Sequence, residues 1–328
     1  MKLSVVVPTL NGREHLRRCL DSLRTHAPDA ETLVVNGPSV DGTTGMVRDR
    51  SDVDVLVEID ERNVNVARNA GIERASGDAI AFLDYAYTVE AGWSDAIRES
   101  LDGTAGGHRA SGHGPDLASV VTGPVHRSLR GGVSTESAER RAIGGRSVTY
   151  FAGGNVAFAR EVLDAVDGFD EYLLTGGARD AAHRLAAAGY DVEWLPKMTV
   201  CREETAGEIR QPSLRADGGE HQRDWYWRYR SLSYRLTKNY GTPSTAWRVT
   251  RHAFGDGGRA LADVARGESS PSKWWANGSD VAVGALVGLK DGVGARFRDR
   301  SSVRNPSGLS TRGDRAVAVY DRRDGSSD

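Results

Sequence analysis

Short apolar runs alternate along this chain with stretches of helical periodicity. Leu3 to Val7 is rich in β-branched residues and stops at Pro8, the pattern of a strand buried on both faces. Leu16, Cys19, Leu20 and Leu23 then fall on one face at helical spacing. Asn11 is placed to cap that helix, with Glu14 three residues on as its reciprocal partner. A second strand over Thr32 to Val35, a further helix start and a strand near Val53 to Val57 repeat the unit. This alternation predicts a mostly parallel sheet with helices on both faces.

The stretch from Ser76 to Trp93 organises the rest. Ala79 to Leu83 is apolar, bounded by Gly77-Asp78 before and Asp84 after, and reads as a buried strand that delivers one carboxylate at its C-terminal edge. Ligands of open α/β sheets sit outside that edge, so Asp84 is positioned to touch one. The same acid serves equally as a cap for the following turn. Before it, Asn63 to Gly71 enters a helix that runs to about Ala75. After it, Gly103 to Gly114 and Gly131 to Gly145 read as mobile loops. His108 and His113, in the first of these, have no partner at a ligand spacing and read as solvated. Tyr150 to Phe158 carries Gly153-Gly154-Asn155, and a helix from Arg160 to Val166 is closed by Gly168. A further helix holds Asp180 in its first turn and ends at Gly189, which suits a left-handed cap. Val192 to Leu195 is a strand stopped by Pro196.

Composition changes after about Gly207. Between Gln222 and His252 the cations Arg223, Arg228, Arg230, Arg235, Lys238, Arg248 and Arg251 face a single acid, Asp224. Trp225, Tyr226, Trp227, Tyr229, Tyr234, Tyr240 and Trp247 are interleaved with them. Four readings stand: an amphipathic helix on a membrane surface, a grip on a phosphorylated lipid-linked acceptor, stacking on single-stranded nucleic acid, or helices packed on the core beneath Arg stems. The stretch after Arg296 is polar and mobile at its end by composition. With 328 residues and a net charge of −2, the chain presents no bulk field toward nucleic acid. Cys19 and Cys201 form no disulfide framework or metal spacing and fit a reducing cytosol. Met1-Lys2 leads into a strand without a leader, and Val281 to Leu289 is too short to span a bilayer. The expectation is a cytoplasmic protein, soluble or peripheral on the cytosolic membrane face.

Four segments in order resemble family 2 glycosyltransferases: Val5-Val6-Val7-Pro8-Thr9-Leu10-Asn11, the strand end Val34 to Thr43, Ala67-Arg68-Asn69-Ala70-Gly71 leading to Phe82-Leu83-Asp84, and Gly153-Gly154-Asn155 with Val166-Asp167-Gly168-Phe169-Asp170. The C-terminal third is similar to the tail of archaeal surface-glycan transferases of that family. The resemblance implies a Rossmann-like GT-A fold over residues 1–210 and a helical, Arg- and aromatic-rich extension over 211–328. It implies inverting transfer of a hexose from a nucleotide sugar to a lipid-linked or cell-surface glycan acceptor. Pro8, Thr9, Asn11 and Asn36 would line the nucleotide pocket, framed by Asp41 and Arg68. Asp84 would be the first acid of an Asp-x-Asp element and the ligand of a divalent cation, Mg²⁺ or Mn²⁺, weak or dispensable. Membrane association then ranks above nucleic acid for the extension.

Three departures qualify this. Asn36 stands where the family places an acid, Ala86 stands at the second acid of Asp-x-Asp, and Gly177-Ala178 replace the Glu-Asp pair that supplies the base. Asp180 or His183 is then the expected base, and Arg179 the expected stabiliser of the leaving diphosphate. The alternative is a catalytically impaired, glycosyltransferase-like binding or scaffolding protein.

Overall fold

The computed structural model describes residues 1–105, 119–129, 132–135, 139–202, 225–242, 245, 247–253, 255 and 271–323. The predicted strand-helix units are present: β1 (Leu3–Thr9), α1 (Arg13–His26), β2 (Glu31–Asn36), α2 (Thr43–Arg48), β3 (Val55–Glu58), α3 (Val64–Arg74) and β4 (Ala79–Leu83). They are followed by β5 (Thr88–Val89), α4 (Trp93–Ala105), β6 (Val120–Thr122), β7 (Val125–Leu129), β8 (Gly132–Thr135), β9 (Glu139–Ile143), β10 (Arg146–Tyr150) and β11 (Asn155–Ala159). The remainder is α5 (Arg160–Ala165), α6 (Gly177–Ala188), β12 (Val192–Trp194), β13 (Val200–Arg202), α7 (Trp225–Tyr240), α8 (Pro271–Arg298) and β14 (Ala318–Asp321).

Eight of these strands form the main sheet, in the order β12-β6-β11-β4-β1-β2-β3-β14. β3, β2, β1 and β4 are parallel, whereas β11 runs antiparallel to β4 and to β6. The chain steps outward from β1 to β3 and then returns to place β4 on the other side of β1. Ligands of open α/β sheets bind at such a reversal, beyond the carboxyl ends of β1 and β4. The β1–β4 ladder ends at Val6↔Phe82, so Pro8, two residues further, forfeits no bond to β4 by lacking an N–H.

The strands read as unbroken apolar runs because both faces are covered. On one face Val6, Leu33, Val57 and Phe82 meet Val66, Ala67 and Ala70 of α3 and Ala181 and Leu185 of α6. On the other Val5, Val7, Val34 and Leu83 meet Leu16, Cys19, Leu20 and Leu23 of α1 and Trp93 and Ile97 of α4. Gly71 lets α3 settle on β1: a Cβ there would lie 2.3 Å from Val6 Cγ1.

Several expectations are corrected. The Gly131–Gly145 loop is largely strand, with β9 and β10 forming an antiparallel hairpin about the left-handed pair Gly144-Gly145. His108 and His113 lie outside the described residues. The stretch after Arg296 folds back, and β14 pairs antiparallel with β3 to complete the sheet edge. Arg315 anchors it, fully buried in its side chain and paired with Glu171 and Glu73. Residues 324–328 lie outside the described residues.

The extension thus contributes a strand to the first unit's sheet. Its aromatic helix is packed as well: Trp225, Tyr229 and Tyr234 are buried, and Arg230 lies 5.0 Å over the Tyr172 ring while its Nε donates to the Tyr172 hydroxyl at 2.8 Å. Burial of these three rings is what the packed-helix reading expects of α7, whereas Trp247 beyond it is 72% exposed. α8 closes on α7 through Gly284, Gly288 and Gly292. Cβ atoms at these positions would lie 2.3, 2.1 and 2.7 Å from the carbonyl oxygens of Tyr226, Arg230 and Tyr234. No described helix is long and apolar enough to cross a membrane.

Candidate active site at the switch point of the sheet

The loops leaving β1 and β2 are tied to each other. Gly37 N donates to Thr9 O at 2.9 Å, Asn11 N to Ser39 Oγ at 2.9 Å, and Val40 N to Asn11 Oδ1 at 2.8 Å. Asn11 adopts the left-handed conformation, at φ 50°, that this bridging demands. It therefore does not cap α1, whose N-cap is Gly12. Asp41 takes that role from the next loop. Its carboxylate accepts from Arg13 N at 3.0 Å, Thr43 N at 3.1 Å and Thr43 Oγ1 at 2.5 Å, serving the starts of two helices. Burial alone would raise the Asp41 carboxyl, but the hydrogen bonds from Thr43 and Arg13 hold it below the usual range.

Asn36 is 1% exposed and turned inward. Its Oδ1 accepts from Ser39 Oγ at 2.7 Å and its Nδ2 donates to Thr44 Oγ1 at 2.9 Å. The amide thus braces the loop from within. Thr9 is fully buried at the end of β1, and its hydroxyl oxygen has no hydrogen-bond partner among the described residues. Such an orphaned group at a strand end marks a place for a ligand atom or a water. Tyr85 covers the neighbouring loop, its ring 2.4 Å from where a Cβ on Gly12 would sit. The ring therefore requires glycine at that position.

Asp84 stands at the end of β4, where the pattern placed it. One oxygen, Oδ1, accepts from Ala86 N at 2.9 Å, so the acid does cap its turn. Oδ2 accepts no hydrogen bond among the described residues, so a ligand-facing role is compatible with the cap. Asp84 N donates to Gly154 O at 3.0 Å, and a Cβ on Gly154 would lie 2.6 Å from Asp84 Cβ. Gly154 lets the start of β11 approach the Asp84 turn this closely. Arg68, on α3, donates to Gly153 O at 2.9 Å and to Asn65 Oδ1 at 3.1 Å, with its guanidinium 5.0 Å from the Phe169 ring centroid. Asn65 in turn fills the space beside Gly177, 2.2 Å from a Cβ built there. The position from which the family's base would project is thus at the end of this chain of contacts, occupied by a neighbour's amide.

The three residues expected to do chemistry do not join this group. Asp180 is fully buried as the anion of an ion network: its Oδ2 accepts from Lys238 Nζ at 2.8 Å and Arg184 Nε at 2.8 Å, and its Oδ1 from Asn239 Nδ2 at 2.9 Å. Burial would raise its pKa, yet the charges of Lys238 and Arg184 outweigh it and hold the carboxyl well below the usual range. His183 is wedged between Tyr150 and Tyr240, with Nδ1 2.9 Å from the Tyr240 hydroxyl. Burial, then the charge of Arg235, pushes it down to about 3, so the ring is neutral at physiological pH. Both are interior residues, with no exposed surface. Arg179 is at the surface, 3.0 Å from Glu139 and 4.5 Å over the Tyr150 ring. Sequence spacing missed this because Lys238 lies 58 positions from Asp180.

The side chains around Asp84 are a poor donor set for a divalent cation. Ala86 brings no ligand, Asp84 has one oxygen committed to its turn, and among the described residues it joins no group of three metal-ligating side chains. Protein side chains alone do not fit a hard cation at this turn.

The mostly parallel sheet, its strand order and its helices on both faces are those of the GT-A fold. Residues 4–166 form a glycosyltransferase family 2 domain, matching the model described as "Glycosyl transferase family 2". Among its relatives, glycosyltransferase AglE of Haloferax volcanii is 27% identical over 236 residues, spanning 67% of this chain and 73% of that one. A pre-mycofactocin glycosyltransferase of Mycobacterium tuberculosis is 28% identical, over 61% of this chain and 42% of its own length. Two solved structures share the fold. TarS of S. aureus, residues 1–349 with UDP-GlcNAc, aligns at TM-score 0.53 and 17% identity over 72% of this chain and 67% of that one. The mannosyltransferase PcManGT of Pyrobaculum calidifontis, with GDP-Man and Mn²⁺, aligns at 0.51 and 18% identity over 88% and 87%.

Proposed function

We propose that this glycosyltransferase takes a hexose from a nucleoside-diphosphate sugar and passes it, with inversion, to a lipid-linked or cell-surface glycan acceptor at the cytosolic face of the membrane. The observation that carries the donor reading is the reversal of strand order between β1 and β4. Asp84 Oδ2 and the Thr9 hydroxyl, neither hydrogen-bonded among the described residues, lie at the ends of β4 and β1, and the buried Arg68 bonds Gly153 O next to Gly154, which meets Asp84. That mixture of a carboxylate, a hydroxyl and a cation suits a ribose and a diphosphate. The solved relatives bound to UDP-GlcNAc and to GDP-Man support a nucleotide-sugar donor. A cation, Mg²⁺ or Mn²⁺, would be held jointly by Asp84 and the donor's phosphates, and its contribution is expected to be small.

A second reading, donor binding without turnover, is favoured by Gly177. An inverting transfer needs a base opposite the leaving group, and at that position the space belongs to Asn65 while Asp180 is sealed into an ion network. Calorimetric titration with UDP, GDP and their sugars, with and without Mn²⁺, separates the outcomes. Binding weakened by Asp84→Ala is expected. No binding of any of them removes the donor reading, and binding with neither transfer nor donor hydrolysis assigns the second.

A further inference from the structure

The second sheet, ordered β5-β13-β7-β8, places three side chains together that the sequence keeps far apart. Cys201 on β13 is in register with Thr88 on β5 and with His126 on β7. Residues directly paired across strands share a face. Glu90 continues β5 by one residue, its N–H donating to Thr199 O at 3.1 Å, and so returns to the face of Thr88. The Cys201 thiol lies 2.7 Å from Glu90 Oε1, His126 Nδ1 lies 3.8 Å from the same oxygen, and all three ligand atoms fall within 4.8 Å of one another.

We propose that Glu90, His126 and Cys201 form a three-ligand site for Zn²⁺. A tetrahedral zinc at its usual bond lengths sets ligand atoms about 3.5 Å apart. The observed separations bracket that value, so small side-chain rotations close the site. One thiolate, one imidazole and one carboxylate is a borderline-soft set that selects Zn²⁺ over Mg²⁺, Mn²⁺ or Ca²⁺. His126 and Glu90 are 31% and 46% exposed in their side chains, which leaves an entry path and a fourth position for water. On binding, the thiol proton leaves to solvent and the sulfur–metal bond replaces the thiol–carboxylate hydrogen bond. The ion would clamp β5, which begins two residues after Ala86, to β7 and β13. It would thereby brace the segment that leads out of the Asp84 turn.

The test uses the full, untagged chain, with Co²⁺ as the spectroscopic probe and Zn²⁺ as its competitor. One equivalent of Co²⁺ should give a thiolate-to-cobalt charge-transfer band and tetrahedral d–d absorption, both abolished by stoichiometric Zn²⁺. Cys201→Ser should lose the charge-transfer band, and His126→Asn and Glu90→Gln should each lose the tetrahedral signature, with circular dichroism unchanged. Zn²⁺ should also raise the melting temperature of the parent and not of Cys201→Ser. No band in the parent overturns the site. So does a band that survives Cys201→Ser, or a signature indifferent to His126 and Glu90.

Discussion

Replacing Lys238 by methionine tests the reading of Asp180 most directly. In the parent, the ammonium donates to Asp170 Oδ2 at 2.6 Å and to Asp180 Oδ2 at 2.8 Å, and all three side chains are fully buried. Arg184 supplies the second positive charge, so two carboxylates face two cations. Methionine keeps the volume and removes one charge, leaving Arg184 against both acids. Uncompensating a buried pair costs about 3–5 kcal/mol, against a total stability on the order of 5–15 kcal/mol. Urea unfolding followed by tryptophan fluorescence should show the midpoint falling accordingly. Asp170→Asn added to Lys238→Met restores the charge balance and should recover most of the loss. The pH dependence sharpens the test. Asp180's depressed carboxyl contributes stability that is present above the unfolded value of ~3.9 and lost as pH falls below it. In Lys238→Met that depression is smaller, so the deficit should be full near ~pH 7 and shrink only as pH falls below ~3.9. A midpoint within about 1 kcal/mol of the parent, or a deficit that grows on acidification, refutes the charge accounting.

Two further outcomes follow from the packing. Gly288→Val should separate α8 from α7, because a Cβ there meets the Arg230 carbonyl at 2.1 Å, while Gly294→Ala, open to space, should be neutral; thermal melts compare the two. If the enzyme turns over, His183→Gln should leave the pH profile of transfer unchanged, since the ring is already neutral with its pKa near 3. Loss of one limb of that profile would return His183 to a proton-transfer role.

The strand ends were legible because their signals are local. Apolar runs stop at Pro8, Asn36 and Asp84, and Gly189 ends α6 in the left-handed conformation its position suggested. What escaped depends on partners remote in the chain. Asn11 looked like a cap because Asp41, the group that serves Arg13 N, is 28 positions away. Asp180 looked like a base because the pattern within α6 carries no trace of Lys238. Glu90, His126 and Cys201 share no spacing at all, and only strand register brings them to one face. The β9–β10 hairpin was hidden by its polar outer positions, whose strand propensity comes from pairing and not from burial.

The pairing of β14 with β3 has a consequence for how the molecule is made. During vectorial synthesis β1 to β4 emerge first, and β3 presents a row of unsatisfied backbone groups until residues 318–321 arrive. Through that interval the nascent sheet has an open edge, the feature most prone to pairing with another chain. A fragment ending near residue 210, cut to isolate the sugar-nucleotide fold, would keep that edge bare permanently and should aggregate where the longer chain does not.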